Sequence, residues 1–148
     1  MALAFKSEEG MTFDELDGTL PNGFHDAKLL KLTLDYRQRS ATLCMKLLVG
    51  GHQSASPEEY KPATLRILGL CFCCIELPSP GEPFVPDGSP VNVSGFPEDS
   101  SSLMRPNESL AQINEILAKC PPGTSSYRFF SHDWNSFIHI AGMDVQLS

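Results

Sequence analysis

The chain has 148 residues, a length that fits one domain, and 41% of them are hydrophobic while 20% are charged. This balance predicts a folded protein with one core and excludes a disordered chain. The net charge of −7 disfavours nucleic acid and anionic membranes as partners, and it suits either simple solubility or a basic protein partner.

The N-terminal stretch "MALAFKSEEG" lacks the apolar segment of a signal peptide. The longest apolar run, "ILGLCFCCI", is too short to span a bilayer. We therefore expect a cytoplasmic protein, in which the five cysteines are reduced thiols rather than a disulfide framework.

The first elements are a helical turn and a β-hairpin. Thr12 and Glu15 have the spacing of a capping box, and Gly18 closes the turn. Apolar and polar residues then alternate strictly over 30–36, and a second alternating run covers 41–49, with Cys44 and Leu48 on its otherwise polar face. Because a period of two is typical of half-buried strands, and only four polar residues join the two runs, a β-hairpin is predicted here.

The run from Pro62 to Leu77 predicts either one long strand with a bulge or sharp bend at Gly69, or two strands that share this corner. Its second half is apolar on both faces, which is typical of a central, covered strand. The neighbouring residues favour core packing over metal or redox chemistry for its three cysteines, which are Cys71, Cys73 and Cys74.

The segment 78–106 contains seven of the twelve prolines and is predicted to be a long loop within a single domain, residues 1–148. Within it, "PVNVSGF" could form a short edge strand. An amphipathic helix follows, with one apolar stripe that ends before Pro121 and contains Leu110, Ile113, Ile116 and Leu117.

A second hairpin surrounds "HDWN", and its last strand is expected to run almost to residue 148. Together these elements predict an α+β domain, a mostly antiparallel sheet of about five to seven strands with one amphipathic helix packed on it.

Two His-Asp pairs and one further histidine are the candidates for chemistry: His25, Asp26, His132, Asp133 and His139. They are suitable ligands for a divalent cation or groups for acid–base catalysis. However, adjacent side chains of a strand point to opposite faces, and Asp in a turn usually bonds its own backbone while Asn readily takes the left-handed conformation. We therefore favour turn chemistry, and we predict no metal and no cofactor.

His139 and Trp134 are singled out for other reasons. Both faces of the strand around His139 are apolar, so we expect a side chain that is at least partly buried and makes a structural hydrogen bond rather than lining a pocket. Trp134 lies in the predicted turn, where it would either be an exposed binding residue or fold back over the sheet edge. The second arrangement is favoured.

Three segments carry a resemblance: "LPNGFHDAKLLKLTLDYRQRSATL", "YKPATLRILGL" and "HDWNSFIHIAG". They resemble a group of small bacterial proteins of unassigned function, whose members open with a similar Asn-Gly-x-His-Asp-Ala stretch that runs into a strand. The chain is also loosely similar to the small α+β immunity proteins of bacterial toxin systems. Neither resemblance implies catalytic residues.

The leading hypothesis is a non-catalytic protein-binding domain, for example an immunity-type protein that binds a basic toxin. One alternative is a metal-dependent or acid–base enzyme, which requires the side chains of His25 and His132 to converge. Another is a small-ligand binder with a pocket between helix and sheet. An exposed edge strand with an apolar patch would favour a homodimer.

Overall fold

The protein folds into a closed β-barrel. The computed structural model describes residues 11–51, 55, 57–77, 89–97 and 110–148, and these form two helices and six strands. In chain order they are α1 (Phe13–Thr19), β1 (Ala27–Asp35), β2 (Ser40–Leu48), β3 (Tyr60–Ile75), β4 (Val91–Pro97), α2 (Leu110–Leu117), β5 (Ser125–Ser131) and β6 (Ser136–Leu147).

The strands are antiparallel to their neighbours, in the order β1-β2-β3-β6-β5-β4. β4 pairs back onto β1 and closes the barrel. The spatial order β4-β1-β2-β3 is that of a Greek key. The mostly antiparallel sheet, both hairpins and the long final strand are thus confirmed, whereas closure was not predicted.

β4 departs from the expectation of an edge strand. Val93 pairs with Ala27 on one side and with Ser131 on the other, so β4 joins β1 to β5. Because β4 has a neighbour on each side, it offers no free edge to a second copy of the chain.

Of the loop predicted at 78–106, residues 78–88 and 98–106 lie outside the described residues.

β3 is one bent strand, as predicted. Gly69 has a φ of +61°, and the pairing of β3 with β6 shifts register between Leu70 and Phe72. The second half of β3 differs from the expected central strand, because β2 begins at Ser40, opposite Leu68, and pairs with β3 no further. Beyond the bend, β6 is the neighbour among the described strands, and the three cysteines there are partly exposed.

Aromatic rings fill one end of the barrel interior. The ring of Phe13, on α1, stacks on that of Tyr127 with 5.0 Å between centroids, while Phe24 and Phe129 meet Tyr127 edge to face. The predicted capping box begins α1, with the Glu15 amide donating to the Thr12 hydroxyl, and the Phe13 amide joins α1 to β5 by donating to the Ser125 hydroxyl at 3.0 Å. α1 therefore covers this end of the core.

α2 follows the predicted apolar stripe only in part, since Ile113 is buried whereas Ile116 is largely exposed. No helix in the described part of the chain is long and apolar enough to cross a membrane.

Candidate functional site

The chain that leads to the first His-Asp pair is held by Asp17. Its Oδ1 atom accepts hydrogen bonds from the Phe24 amide at 2.9 Å and from the Tyr127 hydroxyl at 3.1 Å. Gly23 makes this approach feasible, because a Cβ there would lie 2.4 Å from Asp17 Oδ1 and its φ is +56°. The backbone is thereby fixed immediately before His25.

His25 and Asp26 form an exposed pair at the start of β1. His25 Nδ1 lies 3.1 Å from Asp26 Oδ2, and the two side chains are 62% and 60% exposed. Asp26 has a φ of +52°, a left-handed conformation that Asp tolerates better than most residues. The Asp26 amide donates to the Ser94 hydroxyl of β4 at 3.1 Å. The first pair is thus attached to β4 by its backbone.

The second pair, His132 and Asp133, follows β5 and is attached to β4 differently. Asp133 Oδ2 accepts from the amide of Asn92 at 2.9 Å and from its side-chain nitrogen at 3.2 Å. We expected Asp133 to bond its own turn, but the side chain reaches the neighbouring strand instead. The turn itself is confirmed, since Asn135 has a left-handed φ of +48°.

The two pairs therefore border the same strand without forming one His-Asp cluster. Asp26 meets β4 at Ser94 and Asp133 meets it at Asn92. The rings point to different partners, because His25 bonds Asp26 whereas His132 packs edge to face on Phe130, 5.2 Å between centroids. Nor do three His, Cys, Asp or Glu side chains of the described residues come together in a way that could hold a metal ion.

His139 is buried, as predicted, in a layer on the outer surface of the barrel. Because Tyr127 and Ile140 point into the core, alternation places Arg128 and His139 on the opposite face. The His139 ring stacks on that of Phe137 with 5.6 Å between centroids, and the Arg128 guanidinium lies 5.7 Å from the same ring. His139 thus belongs to a packed layer separate from both His-Asp pairs.

The side chain of Trp134 is only partly exposed, whereas the sequence suggested either an exposed binding residue or a ring folded over the sheet edge. It is 38% exposed, and its amide donates to the Ser131 hydroxyl at 3.1 Å. β5 and β6, the strands on either side of Trp134, each pair with a neighbouring strand on both sides.

A polar cleft beside the first pair was only partly visible in the sequence. It has a volume of about 390 Å³ and is lined by Asp26, Lys28, Leu48, Pro57, Glu58, Tyr60 and Asn92. The sequence pointed to Asp26 alone. The other polar residues that line the cleft come from β1, β3, β4 and the segment before β3. No local sequence pattern indicates that these segments lie together.

The electrostatics of the polar cleft centre on Tyr60. Burial raises the pKa of its hydroxyl, and the carboxylates of Asp26 and Glu58 raise it further because they would repel a phenolate. The ammonium of Lys28 lies 4.5 Å from the centroid of the same ring, within cation–π range. The cleft thus combines two carboxylates, a neutral phenol, an amide and one ammonium, which suits binding of a cationic group.

A second concavity, of about 270 Å³, lies between the β1–β2 turn and the bend of β3. Tyr36, Arg39 and Cys71 are among the residues that line it. The small-ligand alternative required a pocket between helix and sheet, and neither concavity matches it, because both are lined by strands and turns and neither includes a residue of α2.

Comparison with known proteins adds no further information on the site, since no family model, no curated protein and no solved structure matches the chain.

Proposed function

We propose that this protein is a non-catalytic binding domain that recognises a basic segment of a protein partner through the polar cleft. The observation that carries the proposal is the meeting of Asp26 and Glu58 around Tyr60 in a concavity of about 390 Å³. Carboxylates in such a setting attract lysine and arginine side chains and steer their approach.

The surroundings of the cleft support a basic partner. Asp133 accepts hydrogen bonds from Asn92, which itself lines the cleft, so a third carboxylate lies next to a lining residue. Lys28 is the single cation among the lining residues, and the whole chain carries a net charge of −7. The local and the overall charge therefore favour the same kind of partner.

The enzyme alternative has less support. It required one shared site for the His-Asp pairs, but His25, His132 and His139 contact an aspartate, Phe130 and Phe137 respectively. The immunity-type role remains the specific form of the binding proposal, since a cationic nuclease toxin is a partner of the required charge.

The test is a pull-down from extract of the native host with the full chain and two charge-matched double variants. Asp26→Asn/Glu58→Gln removes two carboxylates from the cleft, while Asp35→Asn/Glu115→Gln removes two elsewhere. We expect one basic protein to bind the wild type and the control, with affinity for the cleft variant lower by about tenfold and with weaker binding in high salt. A partner that binds both variants equally, or no partner at all, would contradict the proposal.

A further inference from the structure

Two cysteines that are distant in sequence meet at the bend of β3. Cys71 is the extra residue at the register shift between Leu70 and Phe72, and its thiol donates to the Gly69 carbonyl at 3.2 Å. On the other side, the Cys71 sulfur lies 3.7 Å from the Thr124 hydroxyl. The bulge thus directs this thiol toward the segment that follows α2.

That segment is a tight turn that carries Cys120 at its start. The amide and the hydroxyl of Thr124 both donate to the Pro121 carbonyl, the latter at 2.6 Å. The Thr124 hydroxyl also lies 3.3 Å from the Met143 sulfur on β6. The turn is therefore held against β3 and β6. The Cys120 thiol donates to the Ile116 carbonyl at 3.7 Å, and burial, followed by the neighbouring Cys71 thiol, raises the pKa of Cys120.

We propose that Cys71 and Cys120 form a reversible disulfide that ties the end of α2 to the bend of β3. Both side chains are partly exposed, so a small oxidant can reach them. In a reducing compartment such a bond is a redox-sensitive link rather than a permanent staple.

Oxidised glutathione, a low-molecular-weight disulfide, is the oxidant for this step. The thiolate of one of the two cysteines attacks one glutathione sulfur, which breaks the glutathione disulfide and expels the other half as a thiolate. The thiolate of the other cysteine then attacks the protein sulfur of this mixed disulfide and expels the second glutathione. Two electrons thus reduce one glutathione disulfide to two thiols, which take up the two protons that the cysteines release.

The link would change how α2 is held. The thiol contact and the Thr124 contacts join the segment after α2 to the barrel, and a covalent bond there would close a loop between residues 71 and 120. Closing a long loop reduces the entropy of the unfolded chain, so the oxidised protein should melt at a higher temperature. This inference is independent of the proposed partner.

The experiment treats the reduced full-length protein with oxidised glutathione and follows intact mass, tryptic peptides and melting temperature. Trypsin releases residues 120–128 as a peptide with Cys120 as its one cysteine, so the linked product joins this peptide to the one that contains Cys71. We expect loss of two hydrogen masses, that linked peptide and a melting temperature higher by several degrees, about 4 °C or more.

Cys71→Ser and Cys120→Ser should each abolish the linked peptide and the rise in melting temperature, whereas Cys44→Ser on β2 should retain both. The proposal is overturned by a stable mixed disulfide of Cys120 with glutathione in the wild type, or by loss of two hydrogens in the Cys120→Ser variant. The tryptic peptide with Cys71 also contains Cys73 and Cys74, so chymotryptic cleavage after Leu70 and Phe72 is added to separate Cys71 from the other two. With that step, mapping of the wild type decides the matter even if a serine variant folds poorly.

Discussion

The two His-Asp pairs show how one dipeptide takes two structural roles. In the first pair the side chains bind each other and remain largely in solvent, while backbone contacts from Asp26 and the preceding residues hold the segment. In the second pair the side chains diverge, and the Asp133 carboxylate accepts two hydrogen bonds that, together with the bond from the His132 amide to the Asn92 carbonyl, join the β5–β6 turn to β4. The same residues are thus available for binding in one place and structural in the other.

Both His-Asp pairs are attached to β4, but through different contacts. Its Asn92 receives the second pair and its Ser94 receives the first, although the pairs are more than a hundred residues apart in the chain. We therefore expect that β4 is needed to position both pairs, that the aromatic core positions the backbone of the first pair, and that the Asp133 carboxylate positions the turn of the second.

The largest expected effect comes from a change that displaces β4 itself. A Cβ at Gly95 would lie 2.3 Å from the Tyr127 ring and 3.0 Å from Phe24 and Phe129, so Gly95→Ala should lower the free energy of unfolding by about 3 kcal/mol. Urea denaturation measures this. Gly18→Ala, in α1 with no atom within 4 Å of the new Cβ, is the control and should raise stability by about 0.5 kcal/mol.

If Gly95→Ala unfolded like the wild type, the core would have room beneath β4, and the two pairs would not depend on the close packing of this strand.

Local elements of this fold were predictable because their causes are local. The spacing of Thr12 and Glu15 and the alternation in β2 each lie within nine residues and appear in the structure as expected. The alternation in β1 holds only in part, because a register shift between Leu29 and Lys31 leaves Leu30 exposed and Tyr36 lies beyond the strand. Closure of the barrel was not predictable, because it depends on the pairing of Val91–Val93 with Ala27–Leu29 across a Pro-rich segment. No local pattern encodes that contact.

In the candidate site, too, features with a local cause were predictable and features that depend on distant segments were not. Turn propensity correctly placed Asn135 in the left-handed conformation, but it misassigned the partner of Asp133, since an amide on another strand competed with the turn's own backbone. The polar cleft depends on Lys28, Tyr60 and Asn92 meeting from three strands. That meeting requires the barrel to be known first.

The second prediction tests how the core holds the first pair. Tyr127→Phe removes the hydrogen bond from the buried hydroxyl to Asp17, so the free energy of unfolding should fall by about 2 kcal/mol at neutral pH. Burial, and next the Asp17 carboxylate, raise the pKa of the Tyr127 hydroxyl above its ordinary value of 10.0. The contribution is therefore complete below pH 10 and is lost as the pH rises toward the folded-state pKa.

Chemical denaturation at several pH values measures this difference between wild type and variant, which should shrink above about pH 10. Tyr36→Phe, at a position that is 88% exposed, should show no such difference. A gap between wild type and Tyr127→Phe that stays constant with pH would mean that the hydroxyl does not support the chain before His25 in the way the geometry indicates.

The smallest effect separates the two pairs directly. Asp133→Ala removes both hydrogen bonds to Asn92 and should lower the free energy of unfolding by about 1 kcal/mol, while His25→Ala removes only an exposed side-chain contact and should cost about 0.5 kcal/mol or less. Hydrogen exchange of the Asn92 amide should accelerate in Asp133→Ala and stay unchanged in His25→Ala. The reverse order would make the first pair the structural one, and Asp26 would then be less available to a partner than the polar cleft requires.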